Sequence, residues 1–115
     1  MLVLITRELF FSSKVTGTAA ALGLPAVTAA GLDRLQELLD AGDVTGVMLD
    51  LGAGIAPADV LALLSPTVRP RTLAFGPHVD TAALQSAVDA GFPTVLPRSR
   101  FSAELPRWLR MLAAE

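Results

Sequence analysis

Cysteine is absent from these 115 residues, which excludes a disulfide framework, a thiol nucleophile and a thiolate metal site. Aromatic residues make up only 5%, so the core has to be assembled from Leu, Val and Ala. Charge is also sparse: 9 Lys and Arg stand against 11 Asp and Glu, a formal net charge of −2. Nucleic-acid-binding modules ordinarily present a basic face, and no basic excess exists here. No apolar run approaches the roughly 18 residues of a membrane span, and the opening "MLVLIT" meets Arg7 without the charged n-region of a signal peptide. The expectation is a cytoplasmic domain that binds neither membrane nor nucleic acid. The chain has a single histidine, His78, and no acid or nucleophile is predictably beside it, so it reads as a loop residue. Nothing has the spacing of a nucleophile elbow or a triad.

What is abundant is apolar surface, at 52% of residues with positive mean hydropathy, far from the composition of a disordered chain. The length suits one domain, residues 1–115, around a single sheet. Short apolar runs recur as "LVLIT" (2–6), "PAVTAA" (25–30), "TGVMLDL" (45–51), "RTLAF" (71–75) and "PTVLP" (93–97). They are continuous rather than alternating, which suits strands buried on both faces of a parallel sheet. The mixed Val, Thr and Ala of the second run suggests an edge strand.

Helical spacing fills the intervals. "FFSSKVTGTAAALG" places Phe11, Val15 and Leu22 near one stripe and stops at Gly23 and Pro25. "GLDRLQELLDAG" carries Leu32, Leu35, Leu38 and Leu39 between charges, the clearest amphipathic pattern in the chain. "PADVLALLSP" begins with Pro57, suited to a first turn. "DTAALQSAVDAG" offers Asp80 or Thr81 as cap, Leu84, Ala87 and Val88 as its inward face, and Gly91 as stop. "SAELPRWLRMLAAE" offers Ser102 as cap and Leu105, Trp108, Leu109 and Leu112 inward, with Pro106 tolerable only near the start. Strand and helix alternate five times, which predicts a three-layer α/β/α sandwich on a five-stranded parallel sheet, most simply in the flavodoxin-like order 2-1-3-4-5.

In such folds sites lie at the carboxyl ends of the strands, near the point where strand order reverses. That rule selects Thr6, Arg7 and Glu8, then Asp50 to Gly54, then Gly76, Pro77 and His78, then Arg98, Ser99 and Arg100. Asp50 ends the run "GVMLDLGAG", where it could also cap the following turn through backbone N–H groups. The "GAG" of that run lacks the spacing of a dinucleotide-binding loop and reads as a plain turn.

"GVMLDLGAG", "LAFGPHVD", "AVDAGF" and "VLPRSRF" together resemble the receiver domains of two-component response regulators, in order and spacing over the whole chain. In that family an aspartate after strand three accepts a phosphoryl group, an acidic pair after strand one helps to hold Mg²⁺, and a Thr or Ser after strand four and a Lys after strand five contact the phosphoryl group. The resemblance puts Asp50 at the phosphoacceptor position. Thr6 and Arg7 fall where the acidic pair belongs, with Glu8 one residue further on. Gly76 falls at the hydroxyl position, Arg98 at that of the lysine, and Ser99 at that of the proline after it.

Those departures have physical consequences. Magnesium takes about six oxygens and usually one or two protein carboxylates. An arginine in its place would pair with Asp50 and favour its ionised form without a metal. The expectation is an Arg7–Asp50 ion pair, shared with Arg98, in a non-enzymatic pseudo-receiver that uses neither metal nor cofactor and acts through a protein partner or a homodimer. Alternatives are a genuine receiver phosphorylated on Asp50, with Glu8 aiding the metal, and a flavodoxin-like binder holding an anion between Arg7 and Arg98. In receivers the face formed by the fourth helix, fifth strand and fifth helix is the usual partner surface. Phe92, Pro97, Arg100, Phe101 and Trp108 are its candidates here, with core packing the other reading of the aromatics. Arg98, Arg100, Arg107 and Arg110 read as a solvated face balanced by Glu104 and Glu115.

Overall fold

A computed structural model describes residues 1–114; Glu115 lies outside them. The strands are β1 (Leu2–Ile5), β2 (Ala26–Ala29), β3 (Gly46–Asp50), β4 (Thr72–Gly76) and β5 (Val95–Pro97). They form one sheet in the order β2-β1-β3-β4-β5, with every neighbouring pair parallel. The α-helices among the described residues are α1 (Leu9–Ala21), α2 (Leu32–Ala41), α3 (Pro57–Leu63), α4 (Thr81–Ala90), α5 (Arg98–Ala103) and α6 (Leu105–Ala113). None of them is long and apolar enough to cross a membrane.

The continuous apolar runs are explained by helices on both faces. Side chains alternate across a strand, so Leu2, Leu4, Met48, Leu73 and Phe75 join one core with Phe11, Phe101 and Leu109. Val3, Ile5, Val47, Leu49 and Ala74 join the other, with Leu35, Val60 and Ala87. All residues of β1, β3 and β4 are buried, whereas β2 is only half-buried until Ala29, as an edge strand should be.

Local signals set most element ends. Gly23, Gly42 and Gly91 follow α1, α2 and α4 with φ of 73°, 94° and 109°, the left-handed conformation that closes a helix at least cost in glycine. Asp80 caps α4 by accepting from the Ala83 N–H at 3.1 Å. Three expectations are corrected. In α1 the buried stripe is Phe11, Val15 and Ala19, a strict four-residue spacing, while Leu22 sits half-buried past the helix end. In α4 Ala87 points into the core and Val88, one residue further round, is exposed. The last helical segment starts at Arg98, not at Ser102, which lies inside α5. The chain then breaks at Glu104 and restarts as α6 with Pro106 in its first turn; proline lacks the N–H and crowds the preceding turn, so one continuous helix is excluded. The inward face of α6, Leu105, Trp108, Leu109 and Leu112, is as expected.

Candidate functional site

Ile5 pairs with Leu49 in the parallel register, which sets the next residues, Thr6 and Asp50, side by side at the carboxyl end of the sheet. Both are buried. Thr6 Oγ1 donates to Asp50 Oδ2 at 2.8 Å and accepts from the Glu8 N–H at 3.2 Å. Asp50 Oδ1 accepts from the Gly52 N–H at 2.9 Å, capping the 3-10 turn Leu51–Ala53 that precedes Gly54. The acid is therefore partly a turn cap, and "GAG" is an ordinary turn.

The remaining partner comes from the start of α5. Arg98 Nη2 donates to Asp50 Oδ2 at 3.2 Å and forms an ion pair with Glu8, Nη2 lying 2.7 Å from Glu8 Oε2. The Asp50 side chain is only 4% exposed, that of Arg98 32% and that of Glu8 48%. A carboxylate taken out of water this far is tolerable only when paired and hydrogen-bonded, and the guanidinium, the Thr6 hydroxyl and the Gly52 N–H meet that need together. The guanidinium is seated in turn: its carbon lies 4.7 Å from the Phe11 ring centroid and 5.9 Å from that of Phe75, within cation–π range. Arg98 Nε is buried with no hydrogen-bond acceptor among the described residues.

The expected Arg7–Asp50 pair does not form. Thr6 takes the inward direction at the strand end, so the next side chain is directed outward. Arg7 is exposed and its Nε donates to Ala30 O at 3.2 Å, beyond the end of β2. Among the described residues Arg98 is the cation on Asp50, and it brings Glu8 with it. Arg7, Glu8, Asp50, Gly52, Pro77 and Arg98 line a cleft of about 420 Å³. Gly76 lacks a hydroxyl, and a Cβ there would lie 3.3 Å from Leu51 Cβ, a tight contact that Leu51 would have to yield to by a few tenths of an ångström.

Magnesium fits this residue set poorly. Two carboxylates do converge, but on Nη2 of an arginine, a charge that cannot be removed by deprotonation. Thr6 and Arg7, the residues that follow β1, supply no carboxylate, and no group of three metal-ligating side chains exists among the described residues.

Elsewhere the aromatics resolve in favour of core packing. Phe101 is fully buried and stacks on Phe75 with centroids 4.5 Å apart. Phe92 and Trp108 are 5% and 6% exposed. None of the three offers a docking surface; Pro97 is half-buried, and Arg100 is exposed. Arg100 and Arg107 both pair with Glu104, at 3.5 and 3.2 Å, and lie over the Trp108 ring, which makes them a solvated face. His78 is exposed. Residue identity marks Thr6 only as a lost acid; that its hydroxyl donates directly to Asp50 was missed, and the strand register was the signal that could have found it. Phe11 as the platform of Arg98 had no signal beyond its place in the apolar stripe.

No protein-family model and no curated protein matches the chain. Solved structures do. A response regulator from Thermotoga maritima superposes with a TM-score of 0.75 at 12% identity, covering 99% of this chain and 97% of that one. A response regulator receiver protein from Burkholderia phymatum gives 0.75 at 19% identity, covering 99% and 95%. An atypical orphan response regulator, described as having a phosphorylation-independent regulatory mechanism, gives 0.76 at 13% identity, covering 99% and 96%. At such identities the likeness is one of fold, and it spans both chains almost end to end. With the strand order 2-1-3-4-5 and an acid at the end of the third strand, the chain has the response-regulator receiver fold.

Proposed function

We propose that this chain is a receiver-type signalling domain whose acidic site is held by an internal arginine in place of a metal ion, and that it acts by binding a protein partner without a Mg²⁺-dependent phosphorylation cycle. The observation that carries the reading is Arg98 Nη2, within hydrogen-bond distance of both Asp50 and Glu8. A phosphoryl donor approaching Asp50 would meet a carboxylate oxygen already engaged by Thr6 and Arg98. Metal assistance, which offsets the charge between donor and acceptor, has no ready ligand set. A receiver fold without that chemistry retains its surfaces, so the module is read as non-enzymatic and cytoplasmic. Its partner or homodimer face on the α4–β5 side would consist of Leu84, Val88 and Pro97, which border a shallow cavity, with Arg100 beside them rather than the buried aromatics.

A rival reading keeps Asp50 as a phosphoacceptor with Glu8 as a metal ligand. It draws on the same convergence of two carboxylates, and requires Arg98 to swing away. Incubation with acetyl phosphate, or with beryllofluoride, in Mg²⁺ separates the two by intact mass and by amide NMR. The expected result is no adduct and no shift at Asp50; a stoichiometric Asp50 adduct would sink the proposal.

A further inference from the structure

Charge is divided between the two faces of the sheet. Helices α1, α5 and α6, which cover one face, contain Lys14, Arg98, Arg100, Arg107 and Arg110 and no acid. Helices α2, α3 and α4, which cover the other, contain Asp33, Glu37, Asp40, Asp59 and Asp89 against one cation, Arg34. All of these side chains except Arg98 belong to exposed residues. The formal net charge of −2 therefore conceals a molecule with one basic and one acidic side. Like sides repel, whereas the basic side of one copy attracts the acidic side of another.

Each side also holds half of an apolar contact. On the outer face of α6, Met111 is a large apolar side chain left 43% exposed. Arg107 stands about one helical turn before it and Arg110 adjoins it in the chain, both exposed, so the methionine projects among cations. On the acidic side a cavity of about 440 Å³ opens between the end of α2 and the end of α3. Half-buried Leu39, Val44, Leu63 and Val68 line it, with Asp40 beside them. Arg69, which follows Val68, is turned back on the Leu61 and Leu64 carbonyls, its Nε donating to them at 3.2 and 3.1 Å. The sheet separates Met111 from this cavity, so no chain can fill its own.

We propose that the chain associates head to tail with a second copy of itself, Met111 of one copy entering the α2–α3 cavity of the next. Arg107 and Arg110 then face Asp40 and the exposed Asp43. The occupant is a copy of this chain because one molecule supplies both charges and both apolar halves. A contact between two different surfaces is heterologous, and it leaves each end of the pair able to add another copy. Symmetric pairing through either helical layer would instead bring like charges together. The contact uses neither the Asp50 site nor the α4–β5 face, so it goes beyond the reading given above.

The test is sedimentation velocity over about 0.02–2 mM protein, a range suited to a small and weak contact. The weight-average mass should rise with concentration at about 25 mM NaCl and fall to that of the monomer at about 500 mM, where exposed charges are screened. Arg110→Glu and Asp40→Arg, both at exposed positions, should each weaken association about tenfold or more. An equimolar mixture of these two variants should restore it. The altered knob of one then meets the altered cavity of the other with the signs reversed, and the two unaltered surfaces also meet. A monomer at every concentration in low salt, or a mixture that stays dissociated, would overturn the proposal. So would loss of association on Val88→Asp with none on Arg110→Glu, which would assign the contact to the α4–β5 face. The beryllofluoride experiment reads Asp50 alone, so a failure there and a failure here are distinguishable.

Discussion

Replacing Arg98 by Ala should destabilise the fold well beyond an ordinary surface change, and most of the loss should depend on Asp50. Breaking a fully buried ion pair by removing one partner costs about 3–5 kcal/mol. Two features of the site reduce that figure. Arg98 is one-third exposed, so water can enter behind the truncated side chain, and Asp50 keeps its bonds from Thr6 and Gly52. A charge-assisted hydrogen bond contributes about 1.5–3 kcal/mol, and the lost stacking on Phe11 adds roughly 0.5–1 kcal/mol. The expected cost of Arg98→Ala is therefore about 2–4 kcal/mol. In an Asp50→Asn background no charge is left uncompensated, since the neutral amide would still accept from Thr6 or Gly52, and the cost of Arg98→Ala should fall by about 1–2 kcal/mol. Urea unfolding of the four proteins, followed by far-UV circular dichroism, gives this coupling directly; a chain of this size is expected to unfold in one step. A coupling below about 0.5 kcal/mol, the level of independent sites, would refute the claim that Arg98 compensates the buried charge of Asp50.

Thr6→Val keeps the shape and removes the hydroxyl that donates to Asp50 and accepts from the Glu8 N–H; a loss of about 1–3 kcal/mol in the same urea assay is expected, since a buried acceptor loses a partner. Gly17 lies mid-helix in α1 with open space around its Cα, so Gly17→Ala should stabilise by about 0.5–1 kcal/mol. Gly46→Ala should do the opposite, by about 1–3 kcal/mol, because its Cβ would meet the carbonyl oxygens of Leu112 and Arg71 at 3.0 and 3.2 Å; thermal unfolding of the two variants checks both signs. Phe101→Ala should cost about 3–5 kcal/mol as a core truncation, whereas Arg100→Ala should change stability by less than about 1 kcal/mol; similar effects in the two would contradict the burial assigned to Phe101.

The architecture was largely legible because it rests on local patterns. Runs such as "VMLDL" are apolar throughout only if both faces of the strand are covered, and glycine after α1, α2 and α4 answers a backbone need that few other residues meet. Weaker local patterns left more than one outcome open. Val88 and Ala87 are both apolar, and one residue of helical rotation decided which met the core. The aromatics Phe92, Phe101 and Trp108 fitted an interface as well as an interior, because the same side chains serve both.

The site divides along the same line. The amino-acid sequence by itself determined that an acid ends the third strand, that no second acid stands at Thr6 or Arg7, and that arginines follow the first and fifth strands at the same edge of the sheet, since residue identity and strand order suffice for each. Which arginine reaches Asp50 was decided only by tertiary structure. Arg7 and Arg98 carry the same group at the same edge of the sheet. The alternation at the end of β1 turns Thr6 inward and Arg7 out toward Ala30, while the first turn of α5 lays Arg98 across Phe11 onto Asp50 and Glu8. Side-chain direction, set by backbone packing, made one of two chemically equal cations the partner.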